Sequence, residues 1–251
     1  NNRFQIALSE ATIYGGPNQQ FVASYLSPTH FFYAAQRNQK VQLNAFWQIN
    51  MFYQPAIGVG LYFDLFADDL IINNSPRIVD RSVHPDRLGV LVKGSYAKSK
   101  TLISVRYVRI WNETYKSYRT FENYTYFNKG IGYPNNSYES IKYTHTLLQY
   151  SPVFIEASIE AWRSGDRDLI SPFNDEINTF PVGPVLEGAT FSMHASRNQG
   201  KIKYETQMNM VYTSENLSGI DIEGNKESKK LKELRFDMVF KISYNLNFNK
   251  L

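Results

Sequence analysis

The stretch RFDMVFKISYNLNF, Arg235 to Phe248, decides the fold. Phe236, Met238, Phe240, Ile242, Tyr244, Leu246 and Phe248 fall on one face of a strand, and Arg235, Asp237, Lys241, Ser243, Asn245 and Asn247 on the other. One face is oily and the other wet. A strand this long, with aromatics near both ends of its apolar face, has the pattern of a membrane-crossing strand in an outer-membrane barrel.

The same alternation recurs through the chain. Strand candidates run from Arg3 to Tyr14, Val41 to Tyr53, Ile57 to Phe66, Leu88 to Tyr96, Thr101 to Ile110, Ile141 to Tyr150, Val153 to Trp162, Phe191 to Ala195 and Ile202 to Tyr212, with Arg235 to Phe248 last. That is about ten strands. Tight turns are expected at Gln54-Pro55, Ala97 to Lys100, Ser151-Pro152 and Arg197 to Gly200. Long connections are expected at about 15–40, 67–87, 111–138, 163–188 and 213–233. Short and long connections alternate strictly. In outer-membrane barrels the short turns face the periplasm and the long loops face outside, and an even strand count leaves both termini periplasmic.

The expected fold class is therefore all-β, an antiparallel transmembrane barrel of the bacterial outer membrane in a single domain, 1–251. A soluble barrel or sandwich would alternate in the same way but turn its apolar positions inward. Glycine and charged residues share the polar face here, as they do in a lumen. Composition agrees with the membrane reading. The hydrophobic fraction is 43% and the mean hydropathy −0.40, and no apolar run approaches the length of a membrane helix, which excludes a helical membrane protein but not a barrel. Aromatics reach 15%, with 18 Tyr and 17 Phe, residues that barrels gather at the membrane interfaces.

Other classes find little support. There is no cysteine, so neither a disulfide framework nor a thiolate metal site is available. The net charge of +4 is spread among mixed signs, and the one dense basic run, Lys226 to Lys232, is flanked by Glu227 and Glu233 and reads as a solvated loop, not a nucleic-acid surface. Asn1 lies just ahead of the first strand, as in a mature form or a piece of something longer.

Catalytic and metal chemistry lack motifs. His30, His84, His145 and His194 are scattered, no Asp-x-His occurs, and only His84 has a nearby carboxylate, in His84-Pro85-Asp86. His145 falls on a strand wall, yet Thr144 and Thr146 beside it belong to no nucleophile motif. Asp64, Asp68, Asp69, Asp80 and Asp86 are oxygen ligands of the type calcium favours but lack the regular loop spacing, and solvation and turn capping account for them. No enzyme, cofactor or metal site is expected.

Binding has a stronger basis. Trp111, Tyr115, Tyr118, Phe121, Tyr124, Tyr126, Phe127 and Tyr133 crowd one external connection, interleaved with Asn112, Glu113, Arg119, Glu122 and Asn123. Flat rings against sugar C–H surfaces, with amides and charges for hydroxyls, suit a saccharide site, for which Trp111, Tyr115, Tyr118, Tyr124 and Tyr126 are the candidates. A loop folded back as a plug, or packed on a partner protein, would use the same residues. The lumen face carries Asp64, Lys93, Arg106, Glu156, Glu160, Lys203, Glu205, Arg235, Asp237 and Lys241. Mixed signs on neighbouring strands make a filling network, whereas an ion-selective ring would favour one sign.

Several blocks together carry a family likeness. SEATIYGG (Ser9 to Gly16), YLSPTHFFYAAQRN (Tyr25 to Asn38), LYFDLFADDL (Leu61 to Leu70) and PDRLGVLVKGSY (Pro85 to Tyr96), then Val105 to Tyr143 with its aromatic loop and Gly-x-Pro turn, resemble in order the blocks of outer-membrane proteins related to the Wzi capsule assembly protein of Bacteroidota-type bacteria. The resemblance implies a barrel that assembles or attaches capsular or surface polysaccharide, with lectin-like behaviour and with outer-membrane lipid, surface polysaccharide and other outer-membrane proteins as partners. Family members are usually longer, with strands ahead of the SEA-x-x-YGG block, so this chain is expected either to close with about ten strands or to form part of a larger barrel. An accessory barrel subunit of a larger complex, and a passive porin, are the other functions compatible with the pattern.

Overall fold

Residues 3–13, 44–68, 87–117, 119–126, 129–130, 132–150, 153–165, 169–170, 173, 179–199, 202–220 and 226–244 are described in a computed structural model of the chain. Within them every long alternating run is a strand. The order is β1 (Phe4–Ile13), β2 (Asn44–Ala56), β3 (Val59–Ala67), β4 (Leu88–Lys98), β5 (Thr101–Ile110), the short pair β6 (Thr125–Tyr126) and β7 (Lys129–Gly130), then β8 (Tyr138–Tyr150), β9 (Val153–Ser164), β10 (Leu186–Gln199), β11 (Ile202–Ile220) and β12 (Lys226–Tyr244). Ten strands form one antiparallel meander, β1-β2-β3-β4-β5-β8-β9-β10-β11-β12, and β6 pairs only with β7.

Register shows what each face carries. One row of direct neighbours runs Phe4, Tyr53, Leu61, Gly94, Val105, Tyr143, Ile159, Phe191, Met210, Phe236, and the next Ile6, Met51, Phe63, Val92, Tyr107, Ile141, Ala161, Ala189, Tyr212, Leu234. Neither row holds a charge. The row between them, on the opposite face, reads Gln5, Phe52, Tyr62, Lys93, Arg106, Lys142, Glu160, Thr190, Val211, Arg235. Side chains of successive residues take opposite faces, so a single register sorts the whole sheet.

Burial runs opposite to that of a soluble sheet. On β9, Ile159 is 54% exposed while its polar-face neighbour Ser158 is 7% exposed, and Phe4, Leu8, Leu234, Phe236 and Phe240 are all more than half exposed. The polar face is internally bonded. Gln48 Nε2 donates to both carboxylate oxygens of Asp64, at 3.0 and 3.1 Å, and Asn50 Nδ2 donates to the Tyr62 hydroxyl at 3.0 Å. Glu160 receives Arg106 Nη2 at 3.3 Å, the Tyr138 hydroxyl at 3.3 Å and Lys142 Nζ at 3.8 Å. Glu205 receives Lys203 at 2.6 Å and Lys241 at 3.8 Å, and Arg235 meets Asp237 at 2.9 Å. Every charged residue expected on the lumen face lies on this face by register, and charges of opposite sign meet there in separate clusters centred on Glu160, Glu205 and Asp237.

The expected barrel is found in part. β1 and β12 are the two edges of the sheet, and among the described residues no ladder joins them. The main architecture is a ten-stranded antiparallel sheet.

Several connections differ from the sequence reading. The strand expected at Phe191 to Ala195 extends over Leu186–Gln199, so Arg197 to Gln199, expected in a turn, are paired in the β10–β11 ladder. The turn expected at Gln54-Pro55 lies at Ile57-Gly58, and Gln54 to Ala56 stay in β2 across a register shift between Tyr53 and Ala56. An irregular ladder accommodates a proline, which has no N–H to donate. The turn forms at Gly58 because that residue takes φ +79°, and a Cβ there would collide with the Ala97 carbonyl.

The connection expected over 213–233 is mostly strand. The ladder continues from Thr213↔Glu233 to Ile220↔Lys226, so the lysine-rich run lies on β12 and not in a loop. Ser, Glu, Asn and Lys at successive positions of this arm hide it from an alternation reading. Most of the connections expected at 15–40 and 67–87 lie outside the described residues.

The apolar core sits at the end of the sheet where the long loops gather. Val108, Ile110, Tyr115, Tyr138 and Leu169 are its buried members, with Phe66, Leu91, Tyr124, Tyr133 and Trp162 packed around them. It lies between the polar face and the β5–β8 connection.

Candidate ligand pocket beneath the β5–β8 loop

The loop between β5 and β8 starts by clamping itself to the neighbouring strand ends. Trp111 N and the Thr114 hydroxyl both donate to the Leu88 carbonyl, at 3.0 and 2.7 Å. Tyr115 N donates to Asp68 Oδ2 at 3.0 Å, and Arg87 Nη1 donates to the Lys116 carbonyl at 3.0 Å. These bonds hold Tyr115 at φ +76°, a conformation that costs a residue with a Cβ on the order of 1–3 kcal/mol. The strain is offset by what the ring then reaches.

From there the chain crosses the polar face toward β2. A single 3₁₀ turn, Thr120–Glu122, is fixed by Asn44 Nδ2 donating to the Glu122 carbonyl at 3.2 Å, and Asn123 Nδ2 donates to the Leu169 carbonyl at 2.9 Å. Glu122 is buried against Arg119 at 3.0 Å and the Ser117 hydroxyl at 3.3 Å. Burial raises its carboxyl above the usual value, and Arg119 and Ser117 only partly counter it. The return leg is pinned where Asn136 Nδ2 donates to the Asn112 carbonyl at 2.6 Å and the Ser137 hydroxyl to Asn112 Oδ1 at 3.0 Å.

The loop thereby roofs a pocket of about 210 Å³ whose floor is the polar face. Asp64 and Gln48 supply its polar groups, and Phe66, Tyr115, Tyr124 and Tyr133 its rings. The rings are mutually packed. Phe66 lies 5.3 Å from Tyr115 and 5.5 Å from Tyr124, Tyr115 lies 6.2 Å from Tyr124, and Phe46 backs Tyr124 at 4.3 Å. Such separations are those of favourable aromatic pairs. The Tyr115 hydroxyl accepts the Tyr133 N–H at 3.2 Å, and burial pushes the Tyr115 phenol well above the ordinary tyrosine range and raises that of Tyr124. Both stay neutral hydroxyls at any physiological pH.

The expected site residues divide between this pocket and elsewhere. Tyr115 and Tyr124 line it, but Tyr115 is only 2% exposed and serves as a wall. Trp111 lies apart, with its ring 4.7 Å from the Arg109 guanidinium and 6.4 Å from Phe180. Tyr126, on β6, is 70% exposed. Tyr118 lies outside the described residues. The four described candidates do not line one pocket: Tyr115 and Tyr124 share it, and Trp111 and Tyr126 lie elsewhere.

Asp64 and Gln48 went unnoticed as partners in the sequence reading. Their signal was available: they are polar positions facing the same way on two strands joined by a short turn, and they sit one pairing step apart in the register. Of the other aspartates read as oxygen ligands, Asp68 is engaged with Tyr115 and Arg87, while Asp69, Asp80 and Asp86 lie outside the described residues. His145 falls on the apolar face between Ile103 and Ala157, and His194 on the polar face, 3.8 Å from Glu205.

Chemically, the pocket offers one carboxylate held by one amide, with ring faces above and beside it. That set fits a compact, polyhydroxylated or amide-bearing ligand. Comparison with known proteins finds no matching family model, no matching curated protein and no matching solved structure.

Proposed function

We propose that this chain is the wall of a non-catalytic β-barrel of the bacterial outer membrane, with its mouth capped by the β5–β8 loop, and that it assembles or attaches surface polysaccharide. The carrying observation is the pair of uncharged rows that cross all ten strands on the exposed face. Leaving one large apolar side chain in water forgoes roughly 1.5–3 kcal/mol, and this face multiplies that loss across its width. Lipid removes the cost. β1 begins and β12 ends on the short-turn side of the sheet, which is the periplasmic side in barrels of this kind.

The polysaccharide role rests on the resemblance in the sequence blocks and is supported by the pocket of Asp64, Gln48, Tyr124 and Tyr133. A passive porin fits less well, because the loop covers the polar face and the charges there are paired. A second reading, an accessory subunit of a larger outer-membrane assembly, is favoured by the edges: β1 and β12 each pair on one side only among the described residues, and open edges invite further strands.

Flotation of the refolded protein with liposomes tests the membrane reading. Titration of the floated protein with purified surface polysaccharide, for wild type and Asp64→Asn, tests the ligand reading. Protein left at the bottom of the gradient contradicts the first, and floated protein that binds no polysaccharide contradicts the second.

A further inference from the structure

On the apolar face, directly toward the loop end from the uncharged rows, the next row changes character. It reads Leu8, Ile49, Leu65 and Val90 on β1 to β4, then Arg109, Glu139, Arg163 and Glu187 on β5, β8, β9 and β10. Charges stand side by side here, one step beyond two rows that hold none. Glu139 takes Arg163 Nε at 2.7 Å and Nη2 at 2.6 Å, holds Arg109 at 3.8 Å, and accepts the Tyr107 hydroxyl. One carboxylate thus holds two guanidiniums. Among the described residues Arg163 Nη1 has no partner, and the Arg163 side chain is 44% exposed against 31% for Arg109.

Just below Arg163 the wall is hollowed. Beside the small side chain of Ala161 lies a groove of about 390 Å³, lined also by Tyr107 and Ile141 and, at its loop end, by Arg163 with Glu139 and Glu187. Its lining is overwhelmingly apolar. The Phe180 ring lies 4.1 Å from the Arg109 guanidinium and 5.7 Å from that of Arg163.

We propose that this groove holds one molecule of a phosphate-bearing membrane lipid, with an acyl chain over Ala161 and the head-group phosphate on Arg163. This rests on the reading of the face as lipid-exposed. An apolar trough that ends at an exposed guanidinium flanked by the carboxylates of Glu139 and Glu187 matches an amphiphile whose phosphate is accompanied by hydroxyl or ammonium donors, and a guanidinium donates to phosphate through its N–H groups. Glu187, paired directly across from Arg163, accepts from the hydroxyl or ammonium donors that accompany a lipid phosphate.

The test is native mass spectrometry of the protein released from nanodiscs that contain equal parts of phosphatidylglycerol and an uncharged galactosyl diacylglycerol with the same chains. Wild type is expected to retain the phosphate-bearing lipid with about tenfold preference, the scale of one charge-assisted contact. Arg163→Gln should bring the two lipids to parity, and Ala161→Phe, which fills the trough, should remove both, each in protein whose circular dichroism keeps its strand signal. Insertion without a preference, or a preference that survives both substitutions, overturns the lipid site alone. Failure to enter the nanodisc overturns it together with the membrane reading.

Discussion

The carboxylate of Asp68, at the end of β3, accepts the backbone N–H of Tyr115 at 3.0 Å, joining residues 47 apart in sequence. That bond stands at the point where the β5–β8 loop turns over the polar face. Asp68 also faces Arg87 at 3.8 Å, both side chains being buried, so the loop is tied to the ends of β3 and β4 together.

Asp68→Ala should therefore free the loop without unfolding the sheet. A buried hydrogen bond to a charged group contributes about 1.5–3 kcal/mol, and the loss falls on residues 112–117. Hydrogen exchange is the readout: amides of that segment should lose protection while those of β9 and β10 keep theirs. Uniform loss across the sheet would mean the bond is global, not local.

Gly130 has a sharper constraint. A Cβ there would come within 2.5 Å of the Tyr115 ring, and ring and backbone are both held. Gly130→Ala is expected to cost about 1–3 kcal/mol of loop stability, as overpacking does. The checking measurement is the rate of limited proteolysis within 119–134, which should rise severalfold.

Glu122 makes loop order pH-dependent. Its carboxyl is raised in the folded state by burial, with Arg119 and Ser117 opposing. A carboxyl raised on folding binds its proton more tightly in the folded than in the unfolded chain. Its contribution to stability is complete below the ordinary value of 4.5 and is lost as pH rises through the folded value. Loop amides near Ser117 and Asn123 should accordingly be better protected at mildly acidic pH than at neutral pH, after correction for intrinsic exchange. Glu122→Gln should flatten that dependence, and an unchanged dependence would assign it to another group.

For the pocket, Tyr124→Ala and Asp64→Asn should each weaken saccharide binding by about tenfold, the loss of one ring face or one charge-assisted bond. Tyr126→Ala is the control, since its ring stands 70% exposed outside the pocket. Isothermal titration separates these outcomes. Equal losses at Tyr124 and Tyr126 would place the ligand on the loop surface instead.

The strands were legible because an exposed apolar face opposite a polar one imposes a period of two, and Val41 to Tyr53 or Arg235 to Tyr244 could hardly be read otherwise. What alternation cannot carry was missed. The ladder from Thr213↔Glu233 to Ile220↔Lys226 runs through a sequence without clear alternation, and the ring cluster of Tyr115, Tyr124 and Phe66 joins segments that are local in space and distant in sequence. Gln48 and Asp64 were readable only after a register had been chosen, since a shift of one residue would send either to the opposite face.

On the proposed membrane reading, lipid covers the face of Phe191, Met193 and Ala195. The chain has no cysteine, so single cysteines placed from Thr190 to Ser196 on β10 carry a nitroxide without background, and their collision rates with oxygen and with a water-soluble nickel complex can be read in liposomes. Oxygen accessibility should peak at Phe191, Met193 and Ala195, with the nickel complex favouring Thr190, Ser192 and His194. Uniform access to the nickel complex, or maxima on the opposite set, would contradict it.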